Sequence, residues 1–214
     1  MTVTITKKGK IKPVPAMSGP GALRVMGIDV STDTGVVVLD WDVVHRSWRL
    51  AADFEINLPS LPNNSSMTTR LARLCKFQAR IGEALAVHLP AVVAVEGYAF
   101  GHVQSQVTMV ELGCAARLEI AYPAAISDDV GPPPLRFLEV APSQLKKFVL
   151  GKGVGKKEMV MMGVFKRWGY EAKTNNLADA YVLAQIAASA DGLTHDDLTK
   201  PQMEVLTAVL QKNS

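Results

Sequence analysis

The chain has 214 residues, 48% of them hydrophobic, with 23 basic and 20 acidic side chains and a formal net charge of +3. That length and apolar fraction suit one compact domain with a substantial core and exclude a disordered or fibrous chain, while so small a charge identifies no partner by itself. No stretch resembles a signal h-region or reaches membrane-spanning length, so a cytoplasmic protein is expected, with Cys75 and Cys114 as buried thiols in a reducing compartment and too few cysteines for a zinc site.

Residues 1–22, with Lys7, Lys8, Lys10, Lys12 and three prolines, read as a flexible basic arm ahead of a domain over 23–190. The apolar run Leu23–Asp29 reads as a first strand. Residues 34–42 and 46–57 are rich in β-branched and aromatic side chains and predict two more strands joined by short polar breaks. From 67 to 88, Met67, Leu71, Leu74, Ile81 and Leu85 recur near the helical period, which predicts a helix with those residues on its apolar face. A strand over 91–96 ends in Glu96. A second helix over 103–122 carries the stripe Val103, Val107, Val110, Cys114, Leu118 and Ala121. Breakers at 127–134 precede a fifth strand at 135–140, followed by helical patterns near 142–150, 155–169 and 176–190. Residues 191–214 read as an acidic connector and a short C-terminal helix. Three meandering strands, then alternating helix and strand, is an α/β order with a mixed sheet.

Asp29, Glu96 and Asp179 each lie where a fold holds a side chain rigidly: two at strand ends, one in the first turns of an apolar helix. A single acid at such a place also serves as a turn cap or answers a helix dipole. Together, three buried carboxylates repel one another and hold protons unless a cation lies among them, and an all-oxygen set suits a hard divalent ion.

The segments Gly27–Gly35, Val95–Gly101, Pro142–Lys157 and Asn176–Ala184, in that order, resemble Holliday junction resolvases of the RuvC type, in the ribonuclease H-like superfamily, and bacteriophage-encoded members in particular. The resemblance spans most of 24–190. It implies a ribonuclease H-like fold with a mixed five-stranded sheet flanked by helices, and a nuclease whose Asp29, Glu96 and Asp179 hold two Mg2+ ions, with Mn2+ able to replace them. The family often places a fourth acid or a His one turn before the last Asp. Here that position is Asn176, whose oxygen can still ligand a hard cation but cannot act as a base.

Over 142–175 eight basic residues stand against only Glu158 and Glu171. Lys146, Lys147, Lys152, Lys156 and Lys157 are the candidate phosphate contacts, the last three within a glycine-rich turn that enters a helix. It lacks the pattern of a nucleotide P-loop. Tyr98 and Phe100, just past Glu96, would sit at the mouth of the metal site, where the resemblance implies an aromatic that stacks on bases and where core packing of one ring is the alternative; His102 reads as polar surface or a phosphate contact. The expected substrate is branched DNA, chiefly four-way junctions, with forks and flaps as further forms. Because a junction offers two equivalent strands, a homodimer is expected, and since the resemblance implies that the helix after the Glu96 strand supplies much of the contact, the stripe Val107, Val110, Cys114 and Leu118 is the candidate interface. The alternatives are a junction-binding protein of the same fold that does not cut, and an actin-like ATPase or kinase, which the lack of a second glycine-rich phosphate motif disfavours.

Overall fold

The computed structural model describes residues 23–62, 64–98, 103–126, 135–192 and 198–213. Its elements follow the predicted order: β1 (Arg24–Asp29), β2 (Asp33–Asp42), β3 (Ser47–Asn57), α1 (Met67–His88), β4 (Val92–Glu96), α2 (Val103–Ile126), β5 (Arg136–Val140), α3 (Pro142–Leu150), α4 (Lys157–Trp168), α5 (Asn175–Ala190) and α6 (Lys200–Lys212). The sheet order is β3-β2-β1-β4-β5. The first three strands form an antiparallel meander, whereas β4 and β5 run parallel to β1, as helical crossovers require.

Strand alternation divides the core into two layers. Met26, Ile28, Val36, Val38, Val93 and Val95 face one side, where they meet Phe77 and Ile81 of α1 and Leu112, Ala116 and Ile120 of α2. Val25, Val37, Val92, Ala94 and Leu138 face the other, against α3, α4, α5 and α6. Met26 and Ile28 are wholly buried, each worth about 1.5–3 kcal/mol. Helix α5 is apolar on nearly every side, consistent with its central place on that second layer. No helix among the described residues is long and apolar enough to cross a membrane.

Two expectations change. The buried residues of α1 are Arg73, Phe77, Ile81, Ala84 and His88, and Leu74 and Leu85 pack partly buried against the same layer as expected, but Met67 and Leu71 are exposed. Cys75 and Cys114 are free but exposed, because each lies off its helix's buried stripe.

Arg24 makes a paired contact with Asp40 across β1 and β2, Nη2 to Oδ2 at 2.9 Å, and donates from Nη1 to the His88 carbonyl at 2.9 Å. This buried ion pair ties the end of α1 to the sheet. The His88 ring itself stacks on Phe54, with centroids 5.9 Å apart, and neither of its nitrogens has a hydrogen-bond partner among the described residues. Burial, and then the nearby Arg24, hold its pKa down at about 4. The folded state therefore favours neutral His88, and the stability it confers is full above about pH 6.5 and lost as the pH falls toward 4. We expect the unfolding free energy to drop by about 3 kcal/mol over that window on account of this one group. In His88→Phe the drop should be correspondingly smaller; denaturant titrations at pH 7, 5.5 and 4 that showed the same loss in both proteins would refute this.

Candidate active site

Asp29 closes β1 and Glu96 closes β4, two adjacent parallel strands whose register runs Val25↔Val92 to Ile28↔Val95. Continuing that register by one residue sets the two acids side by side. Asp29 follows Val25 and Gly27 in the alternation and Glu96 follows Val92 and Ala94, so both project from the face that α5 covers.

That helix approaches unusually closely. A Cβ on Gly27 would lie 2.0 Å from the Ala180 carbonyl oxygen, and one on Gly35, the register partner of Asp29, 2.3 Å from the Asn176 carbonyl oxygen. Only glycine permits such contact between a helix backbone and a sheet. The first turn of α5 is fixed by Thr174, whose hydroxyl oxygen accepts from the Leu177 N–H at 3.2 Å and whose own proton goes to Glu55 Oε1 at 2.6 Å. Asp179, on the next turn, is thereby delivered to the pair.

The three acids feel one another. Burial first, then the charges of Glu96 and Asp179, hold the Asp29 carboxyl well above the usual carboxylate range. Burial also raises Glu96, against the lowering effect of its hydrogen bond with Asp29. Asp179 is pushed up to about 7 by burial and by Glu96. The opposing charges are Lys157, which lowers all three, and Lys146, which lowers Glu96 and Asp179. Carboxylates that raise one another in this way share protons or take up a cation. Among the described residues no three acidic, His or Cys side chains surround a single point. The all-oxygen donors and their raised pKa values fit a hard metal.

The remaining predicted residues separate into groups. Lys146 on α3 and Lys157 at the start of α4 act on the carboxylates, whereas Lys147 turns away to pair with Glu204 on α6, Nζ to Oε2 at 2.6 Å. Lys152 and Lys156 are exposed in the glycine-rich turn, which begins at Gly151 with φ 77°. Lys156 and Lys157 occupy the N-cap and first position of α4, where the helix dipole disfavours cations. Charge placed against a local rule points to a role outside folding. Asn176 donates from Nδ2 to the Asp33 carbonyl at 2.6 Å, with Glu55 Oε1 at 3.5 Å, leaving Oδ1 as its only group for a cation. Tyr98 lies against Gly113 of α2, beneath the guanidinium of Arg117. Phe100 and His102 lie outside the described residues. Sequence reasoning passed over Glu55, Arg117 and Glu139; the one available signal was that Arg117 is the sole basic residue of α2.

No protein-family profile matches the chain. It is 30% identical over 145 residues to the crossover junction endodeoxyribonuclease RuvC of Chelativorans sp. (strain BNC1), a match covering 67% of this chain and 75% of that protein. Among solved structures, Thermus thermophilus RuvC superposes with a TM-score of 0.59 at 22% identity, over 80% of this chain and 98% of the other. The same protein in complex with a Holliday junction substrate gives 0.59 at 21%, over 80% and 97%. These structural likenesses establish the fold, and with the relative from Chelativorans they show that the chain belongs to the RuvC family of Holliday junction resolvases.

Proposed function

We propose that the chain is a divalent-metal-dependent endonuclease that cuts branched DNA, chiefly four-way junctions, as a homodimer. The observation that carries this is the meeting of Asp29, Glu96 and Asp179 at one end of the sheet with Lys146 and Lys157 beside them. Bare carboxylates would repel a phosphodiester. Two ions held by the three acids, with Asn176 Oδ1 as a further ligand, would supply an activated water and neutralise charge at the phosphate. Mg2+ is the expected ion, with Mn2+ in its place where supplied. The chain's own part is to fix the donors: strand ends hold Asp29 and Glu96, and the backbone contact of α5 holds Asp179. Lys146 and Lys157 attract the phosphate, and Lys152 and Lys156 extend that positive surface along the DNA backbone. Tyr98 stands just past Glu96, where its ring can meet bases at the branch point.

The dimer has support of its own. Val107, Val110 and Leu118 are 52%, 42% and 65% exposed, and Cys114 between them is exposed too, so this stripe is not used by the subunit's core. The buried side of α2 is instead Leu112, Ala115, Ala116 and Ile120. An apolar row on a 24-residue helix suits an isologous contact, in which the same patch meets itself across a two-fold axis.

Three outcomes are expected. Asp29→Asn, Glu96→Gln and Asp179→Asn should each slow junction cleavage by about 10³-fold or more, the scale of losing a preorganised charged group, while leaving junction affinity near wild type. Wild type that binds a synthetic junction in Mg2+ or Mn2+ without cutting it would make the chain a binding protein instead. Val110→Glu should give a folded monomer by light scattering that no longer makes paired cuts, since the charge would be unpaired in both subunits; a variant that stays dimeric places the interface elsewhere. Asn176→Asp removes the donor to the Asp33 carbonyl and sets an acid against Glu55, so it should cost about 1–3 kcal/mol in denaturant melts. It should also lower the Mg2+ concentration for half-maximal cleavage, and an unchanged titration would show that Oδ1 takes no part.

A further inference from the structure

Arg117 joins three elements at the active site. Its side chain is only 18% exposed. Nη2 donates to the Glu96 carbonyl at 3.0 Å, Nε and Nη2 donate to Glu139 Oε2 at 3.0 and 2.8 Å, and Nη1 donates to the Gly113 carbonyl of its own helix at 3.0 Å. The guanidinium carbon also lies 4.2 Å from the centre of the Tyr98 ring. Gly113 makes room for that ring, since a Cβ there would come within 2.6 Å of Tyr98 Cε1, and the Tyr98 hydroxyl is 3.4 Å from Cys114 Sγ.

Glu96 is the last residue of β4. The Gly97 N–H still bonds to the Val140 carbonyl at 2.7 Å, beyond which the chain leaves the sheet. The Arg117 bond therefore falls on the backbone of an active-site acid at the point where ladder support ends. Glu139 is in turn held by Lys212 Nζ at 2.6 Å, and its backbone N–H and carbonyl by Asn213 at 2.9 and 3.2 Å, so the partner of Arg117 is anchored.

We propose that Arg117 is a positioning residue of the active site: it fixes the backbone at Glu96, and so the direction from which that carboxylate meets a divalent ion. The inference rests on the metal-dependent nuclease reading above. Ligand groups must be held to within about 0.5 Å of their productive place, and outer contacts that do so typically change metal affinity by about 10–100-fold. Only arginine offers a planar fork able to reach Glu139 and the Glu96 carbonyl while stacking on Tyr98; a lysine is a single point charge.

The test compares Arg117→Met, which keeps the apolar stem, with Arg117→Lys and with Glu139→Gln, which keeps the shape of the anchor but not its charge. Mn2+ binding to the protein without DNA is measured by isothermal titration calorimetry, together with kcat, KM for a synthetic junction and the thermal midpoint. Arg117→Met should bind Mn2+ about 10–100-fold more weakly and lose kcat with KM little changed. Arg117→Lys should recover the thermal midpoint but not the Mn2+ affinity, and Glu139→Gln should shift affinity in the same direction by less. Wild-type Mn2+ affinity and kcat in Arg117→Met, whatever its thermal midpoint, overturns the proposal and leaves Arg117 a structural residue. Should Arg117→Met fail to fold, Glu139→Gln decides by the same two readings. Wild type that binds no Mn2+ and cuts no junction overturns the nuclease reading itself, and that control is distinct from any change between variants.

Discussion

The contact of the α5 backbone with β1 and β2 is the constraint on which the rest depends. Helices usually stand off a sheet by the length of two side chains, but at Gly27 and Gly35 there are none on the strand side. The helix descends until its own peptide groups touch the strands. Its apolar circumference then fills the second core layer, and its early turns lie level with the ends of β1 and β4. Asp179 is placed by backbone contact rather than by a flexible side-chain arrangement, which gives the site a rigid third carboxylate.

Rigidity has an electrostatic cost. Three acids in a half-buried corner would favour protonation or unfolding, and the chain answers with Lys146 and Lys157 rather than with neutralising ion pairs. The lysines lower the carboxylate pKa values without closing the corner. Lys157 is held at a helix start, where the dipole opposes it, so its position stabilises the site at the expense of the helix. The start of α5, by contrast, is capped by Thr174, whose hydroxyl is held by Glu55.

Much of this was legible in the sequence because it depends on local period and order. Apolar runs marked β1 and β4 and left an acid at each end, and the apolar run after Asn175 marked α5. The family resemblance tied those pieces together, and the relative from Chelativorans bears out the family. What could not be read depends on contacts distant in sequence. Arg117 is 22 residues from Glu139, and nothing in either neighbourhood signals the other. Lys147 looks identical to Lys146 in a basic run, yet one helical step turns it toward Glu204. On α1 the expected Leu74, Ile81 and Leu85 do pack on the core, but Met67 and Leu71 do not, and Ala84 and His88 were passed over because leucines outweigh alanine and histidine in any hydropathy count.

The clasp of α6 on β5 bears on how copies of this chain can meet. An outer strand invites another strand to pair with it unless its free peptide groups are occupied. At Glu139 both are: Asn213 accepts from the N–H and donates to the carbonyl, while Lys212 covers the side chain. Sheet-to-sheet growth is thus obstructed at that border. The other border, β3, lies at the opposite side of the sheet and is untouched by this clasp, so the two edges of one sheet differ in what they offer a neighbouring strand.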